Sequence, residues 1–411
     1  MNDAIIKHWV GRLFLAAALT TSVACGDDDG DDTTTDRDLG TTERDLGTTE
    51  DGGTTTEDDG GTTTEEDGGG TTTGEWALTN HPCVGNRTDT LWRDVDGTLY
   101  VGCGTTTGGD QGLYVSSDEG ATWAAPTTNP GDVLDTWRVD DISRSGDLLY
   151  VAGIDTAGSF RVLSADTSAA TWELAEVYSA GGTVDSSFTV GTFRRDASGR
   201  AIAESLTGVD MQMRADDDAE WMALNAFNGG ARLQVLDMEV HDGVFYGAGS
   251  RIVEPPHLFI ENTDAASFTF ETIDLATGLG AYHGEMWAID VDASGVVIGG
   301  VDQDADVGFV YTTDLDGGNI QGTSMNDFFD GDATWVHGVC RNGNTLAVAG
   351  SFSIREDGFV LLSTDNGATW DDVTPDTGNP ASPYPSASEC VLTGTHLYVA
   401  GKDGSFAVRA L

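Results

Sequence analysis

The chain is short of positive charge. Only 19 of its 411 residues are Lys or Arg, against 69 Asp or Glu, for a formal net charge of −50. That shortage excludes nucleic acid as a default partner, because phosphate binding needs clustered cations. It also argues against docking on an anionic membrane through a basic patch. Proline is scarce at 9, whereas glycine reaches 55. This mix favours tight turns between short strands over long helices. No Cys-x-x-Cys or Cys/His zinc spacing is present. Nor is there a Gly-x-Ser-x-Gly, a His-Glu-x-x-His, a Walker loop or a dinucleotide fingerprint. Hydrophobic residues still make up 39% of the chain, enough for a sizeable core.

Residues 1–24 have the layout of a secretory signal. Lys7 and Arg12 precede an apolar run, Leu13 to Leu19, that is too short to span a bilayer. Thr21, Ser22, Val23 and Ala24 follow, and then Cys25. Cys25 after a small residue resembles the bacterial lipoprotein cleavage site, with Ser22 standing where Leu is usual. The resemblance implies removal of residues 1–24 and lipid attachment to Cys25. The membrane is then a partner through that lipid. The protein would be exported and anchored to a bacterial envelope, at the outer membrane or cell surface in preference to the inner membrane.

Composition changes abruptly after Cys25. Arg37-Asp-Leu-Gly-Thr-Thr-Glu43 repeats at 44–50 and decays into Asp-Gly-Gly-Thr-Thr-Thr units up to Gly74. Residues 26–74 carry 17 acids and 2 arginines, no aromatic, and only Leu39 and Leu46 as aliphatics. Such a segment cannot bury enough apolar surface to offset its ordering entropy. Residues 25–74 are therefore expected to be a disordered acidic tether, spanning on the order of 40 Å as a coil.

The rest, 75–411, repeats itself. Ser116-Ser-Asp-Glu-Gly-Ala-Thr-Trp123 recurs as Ser363-Thr-Asp-Asn-Gly-Ala-Thr-Trp370. Degenerate copies centre on Asp166, Asp216, Asp264 and Asp314. The six Asp positions, from Asp118 to Asp365, are spaced 48, 50, 48, 50 and 51. Each unit also carries short apolar runs such as Leu99-Tyr-Val101 and Leu397-Tyr-Val399 between glycine turns. Four short strands per unit is the sequence form of a propeller blade.

This motif, once per unit, resembles the Asp-box (BNR) repeat of sialidases, sortilin-type receptors, xyloglucan hydrolases and a photosystem assembly factor. The resemblance implies that Asp118, Asp166, Asp216, Asp264, Asp314 and Asp365 are structural turn residues between third and fourth strands, not catalytic acids. The expected fold is all-β, a seven-bladed propeller of four-stranded blades. Residues 386–411 supply three strands of the last blade. Glu75-Trp76-Ala77-Leu78 looks like Thr171-Trp172-Glu173-Leu174 and would complete it, removing an open edge. In that register Cys83 and Cys103 both fall near the closure. Cys340 and Cys390 fall on inner strands of adjacent blades. These two disulfide pairs are favoured among the three pairings that four cysteines allow.

Propeller ligands usually bind where inner strands begin. Trp92-Arg93, Trp137-Arg138, Phe193-Arg194, Trp287, and Trp335 with His337 are read as opening inner strands. Aromatic and Arg groups converging there could stack on a sugar and pair with its carboxylate. The plainer reading is inter-blade packing for the Trp residues and charge neutralisation for the Arg residues. A sialidase-like hydrolase would need a Tyr–Glu pair and an Arg cluster. Tyr282 with Glu285 is the nominal pair, and Arg93, Arg138 and Arg194 the nominal cluster. The Arg-Ile-Pro motif of sialidase propellers is absent; Arg251-Ile-Val253 lacks the Pro. Asp302, Asp304 and Asp306 could hold Ca²⁺, but no twelfth-position Glu follows and a solvated loop explains them as well.

The leading expectation is therefore a non-catalytic binding or scaffold module, monomeric and without a cofactor. It would meet a glycan or protein ligand on one propeller face. The alternative is a sialidase-like glycoside hydrolase acting on envelope or extracellular glycans.

Overall fold

The computed structural model describes residues 74–411 apart from 85–86, 105–110, 132, 180–190, 206–209, 225–232, 252–255, 266–267, 277–283, 303, 330, 353–356 and 379–383. The signal segment, Cys25, the acidic tether and Tyr282 lie outside the described residues.

The described strands form seven sheets, antiparallel but for one short pair. Their innermost strands are Arg87–Arg93, Arg138–Ser145, Thr192–Arg195, Leu233–His241, Gly284–Asp292, Thr334–Asn342 and Ala387–Leu392. We number the blades one to seven in that order. Each innermost strand packs against those of both neighbouring blades, and blade seven meets blade one, so the ring closes. Closure depends on the first strand of the domain. Trp76–Asn80 pairs antiparallel with Ser405–Arg409 and supplies the outer strand of blade seven. The disulfide Cys83–Cys103 joins the segment after that strand to blade one, and Cys340–Cys390 joins the inner strands of blades six and seven.

Second strands sit between neighbouring blades and are buried on both faces. Leu99–Gly104 and Gly295–Asp302 are buried at every position. They accordingly read as unbroken runs of apolar and small residues without in–out alternation. Gly299 shows why small residues are needed: a Cβ there would lie 2.5 Å and 2.6 Å from Val336 and Val339 of the next blade.

The two complete Ser-x-Asp-x-Gly-x-Thr-Trp turns are near-copies. Asp118 accepts the Thr122 amide at 2.8 Å and its hydroxyl at 2.7 Å, while Ser116 accepts the Gly120 amide at 2.8 Å. Asp365, Thr369, Ser363 and Gly367 repeat these bonds at 2.8, 2.7 and 2.9 Å. Asp166 and Asp216 cap shorter versions through the amides of Ser168 and Asp218. In the blade-four turn Asn262 does the accepting. Asp314 instead takes the side chain of Asn319. All six Asp residues stand at or just beyond the end of a third strand. Several turn aromatics reach back to the preceding blade. Trp123 meets Phe406 edge-on at 5.3 Å, and Trp221 meets Tyr178 at 4.9 Å. Trp76 plays the same part for blade seven, donating its indole N–H to Val373 of blade six at 2.6 Å.

Two neighbouring blades depart from the four-strand expectation, blade one with three strands and blade two with five. Blade one adds a single bridge, Val115 to Ala124. Pro126 has no N–H with which to extend that bridge into a ladder. The chain instead crosses to blade two, where Thr128–Asn129 pairs parallel with Trp172–Glu173.

Candidate functional site

The inner strands carry an irregularity that only their pairing register reveals. Among the described residues, six of the seven skip one residue between paired positions, which is a β-bulge. The skipped residues include Asp140, Leu236, Trp287, His337 and Ser388. Each lies near the opening end of its strand. A bulge re-aims a side chain, and this row marks the rim where the inner strands open: Leu236, Trp287 and His337 stay half-buried there, whereas Asp140 and Ser388 are buried.

Blades five and six build the most distinctive part of that rim. Trp287 and His337, both bulge residues, lie parallel, with centroids 5.2 Å apart and planes 5° from parallel. Trp335 stands edge-on to Trp287 at 5.7 Å and 85°. Each of the three rings has a nitrogen engaged. Trp287 donates its indole N–H to Glu285 at 3.1 Å, and Trp335 donates to Asp306 at 2.6 Å. His337 Nε2 is 2.8 Å from the Ser351 hydroxyl. All three rings are half-buried. What they offer a ligand is therefore ring surface.

The other sequence-derived candidates go elsewhere. Trp92 and Arg93 close the inner strand of blade one and do not open it. That strand begins at Arg87, and Asp94 to Thr98 make the following turn, with the Asp94 amide on the Thr98 carbonyl at 2.8 Å. Trp137 precedes its strand but is 5% exposed and packs with Tyr100, Leu134 and Leu149. Arg138 does open a strand, and its guanidinium is paired with Asp140. Arg194 is buried among Asp141, Glu239 and Asp237. The Arg trio therefore does not converge on one ligand position. Asp302, Asp304 and Asp306 are not gathered either. Asp302 accepts the amides of Asp304 and Ala305, and Asp306 serves Trp335. Among the described residues no three His, Cys, Asp or Glu side chains are grouped to hold a metal.

The acids that matter structurally were not evident from motifs. Asp141 accepts the Phe193 amide at 2.8 Å, Asp237 the Ile289 amide at 3.0 Å and Asp290 the Arg341 amide at 2.6 Å. Each bond crosses from one inner strand to the next. Burial pushes the Asp237 carboxyl up to about 8, against the pull of Arg194 and with the push of Glu239 and Asp141. A quarter of its side chain remains open. Burial likewise pushes Asp290 up to about 7, helped by Glu239. Acids on the inner strands, about one blade length from their amide partners, were the signal available in the sequence.

A separate hollow of about 930 Å³ lies where inner strands end, on the side of the Ser-x-Asp turns. Trp92, Arg144, Arg194, Arg195, Arg200 and Glu239 line it. Every guanidinium there is already matched: Arg144 by Asp94, Arg195 by Asp217, and Arg200 by Asp196 and Glu261. The hollow is thus a charge-compensated seam between blades.

No protein-family model matches the chain, and no curated protein matches it. Solved structures do. The chain is similar to a structure of YCF48 bound to a D1 peptide, with 14% identity, TM-score 0.53, and coverage of 82% of this chain and 97% of that one. It is similar to virginiamycin B lyase from Staphylococcus aureus, at 11% identity, TM-score 0.54, and 82% and 99% coverage. It is also similar to the GH74 xyloglucanase from Xanthomonas campestris, at 14% identity and TM-score 0.57, covering 82% of this chain and 54% of that one. At such identities the likeness is one of fold.

Proposed function

We propose that this chain is an exported, lipid-anchored protein that presents its propeller as a non-catalytic binding module. The observation that carries the binding reading is the aromatic corner of Trp287, Trp335 and His337 at the channel mouth. Both of its indole N–H groups are tied down, and its three rings are only half-buried. A rigid closed ring holding such a corner is pre-organised to bind without rearrangement. One similar propeller was solved with a peptide bound, which supports a protein or peptide ligand. The anchoring half of the proposal rests on Cys25 after a signal-like segment, and on the acidic tether.

The hydrolase alternative draws support from the similar xyloglucanase fold and from Glu285 at the mouth. Against it, Arg138 and Arg194 are committed to neighbouring carboxylates, and Arg93 lies at the far end of its strand.

The test incubates the full chain with a mixed pool of sialylated and neutral glycans and follows their masses. Unchanged masses are expected. Loss of a terminal sugar, abolished by Glu285→Ala, would overturn the non-catalytic reading. For the anchor, Cys25→Ser is expected to move the chain from the membrane fraction to the soluble fraction of a bacterial host. Retention of the variant in membranes would sink that half.

A further inference from the structure

We infer that the aromatic corner between blades five and six is a receptor for an organic cation, an alkylammonium or guanidinium group. The inference rests on the binding reading above and names the chemistry of its ligand.

Three features of the corner point the same way. The first is shape. Trp287 and His337 stack on one another with planes 5° apart, and Trp335 stands edge-on to both, at 85° to Trp287 and 81° to His337. A compact group laid against the outer side of this stack meets ring surface; there is no seat between the rings, which pack on one another. Ring faces carry the negative lobe of the aromatic quadrupole, which attracts cations and gives anions no foothold.

The second feature is the placement of carboxylates. Glu285 holds the indole N–H of Trp287, and Asp306 holds that of Trp335. Each bond puts a carboxylate at the edge of a ring. The same bonds remove the two indole donors that an acceptor-rich ligand such as a sulfate or a sugar acid would need. The ring surface therefore sits inside a negative rim.

The third feature is the absence of competing cations on these strands. The inner strand of blade five, Gly284–Asp292, contains no Lys or Arg. That of blade six has only Arg341, at the far end, where Asp292 holds its guanidinium at 3.0 Å. Residues 75–411 as a whole carry a net −36, a field that draws cations toward the domain and repels anions. A neutral sugar could stack on the rings, but it would draw nothing from the rim charges.

The fitting ligands are a Lys or Arg side chain displayed by a partner, or a free quaternary ammonium compound. Both offer the same diffuse positive charge. The test is ligand-observed saturation-transfer NMR on the full chain, with Nα-acetyl-arginine amide, Nα-acetyl-lysine amide, tetramethylammonium, the uncharged citrulline analogue and cellotetraose as probes. Saturable transfer is expected for the three cations and none for citrulline. Trp287→Ala is expected to weaken the cations at least tenfold. Glu285→Gln keeps an acceptor for the indole and leaves the rings in place, so it separates charge from packing; it is expected to weaken them several-fold. Preference among the three cations identifies the source: side-chain probes for a protein partner, tetramethylammonium for a small molecule. Binding of cellotetraose without the cations overturns the cation assignment and leaves the binding module standing. Equal binding of citrulline and arginine amides, or cation binding unaltered in both variants, overturns it too. Silence from every probe, extended to a pool of peptides and glycans, overturns the corner as a binding site altogether.

Discussion

Asp141 on the inner strand of blade two accepts the backbone amide of Phe193 on the inner strand of blade three at 2.8 Å, and the same carboxylate pairs with Arg194. One side chain thus fixes both the spacing and the charge balance of a blade seam. Arg194 passes the connection on to Glu239 in blade four at 2.8 Å. Asp141→Ala is expected to leave a buried amide and a buried guanidinium short of a partner. A loss of about 3–5 kcal/mol follows for breaking such a buried pair on one side. Urea denaturation would read it. The double change Asp141→Leu with Arg194→Met should not recover it, because Glu239 and Asp237 then lose the same guanidinium and the Phe193 amide still has no acceptor.

The buried titratable groups predict a stability profile with pH. Asp237 and Asp290 have folded values of about 8 and about 7, above the ordinary 3.8. Folding therefore favours their protonated forms. Their contribution is fully present below about pH 4 and is lost as pH rises through 7 and 8. His81 runs the other way. Burial lowers it from 6.5 to about 4, so its contribution is present above 6.5 and is lost as pH falls through 4. Thermal midpoints should therefore decline from pH 6 to pH 8, and these groups add no further decline above that. Asp237→Asn, which can still accept the Ile289 amide, should remove a share of that decline on the order of 2 kcal/mol. An unchanged slope in the variant would mean that Asp237 titrates normally.

The disulfides act on different joints of the ring. Cys340–Cys390 ties the inner strands of blades six and seven, and Cys83–Cys103 ties the closing strand's exit to blade one. Removing either pair as a double Ser variant is expected to cost about 2–4 kcal/mol. The Cys83/Cys103 variant should also expose residues 76–80 to hydrogen exchange first, because that outer strand is held to its own blade along one edge only. Uniform loss of protection across all blades would contradict a local opening at the closure.

Much of this fold was legible because its signals are local and repeated. The Ser-x-Asp turn needs eight consecutive residues, so its period exposed the blades, and Trp76 betrayed the closing strand by matching Trp172. The disulfide pairs followed from the same register. What stayed hidden depends on pairing. A bulge adds one residue on one strand, and nothing local distinguishes Trp287 in a bulge from a Trp in a regular strand. Trp92 was misplaced for a related reason: its strand begins five residues earlier, within a polar stretch that reads as loop. The roles of Asp141, Asp237 and Asp290 need partners 51 or 52 residues away. For the candidate site, residue types pointed to Trp287, Trp335 and His337. Only the geometry separated them from Trp137, which has the same composition signal and is core.

Two glycines in matching turns provide a controlled comparison. Gly120 and Gly367 occupy the same motif position with φ of +85° and +84°. An alanine at either site must adopt a left-handed backbone, a strain of about 1–3 kcal/mol. The surroundings differ. A Cβ on Gly120 would lie 2.1 Å from the Phe406 ring, which is fully buried in blade seven and cannot swing away. A Cβ on Gly367 would come no closer than 3.4 Å to anything. Gly120→Ala is therefore expected to be the more damaging by about 1–3 kcal/mol, the usual size of an overpacking penalty. The measurement is the difference in denaturation midpoint between the two variants. Equal effects would show that the blade-one turn is not wedged against blade seven. A larger effect at Gly120, relieved by adding Phe406→Leu, would show that the turn and the closing blade act as one joint.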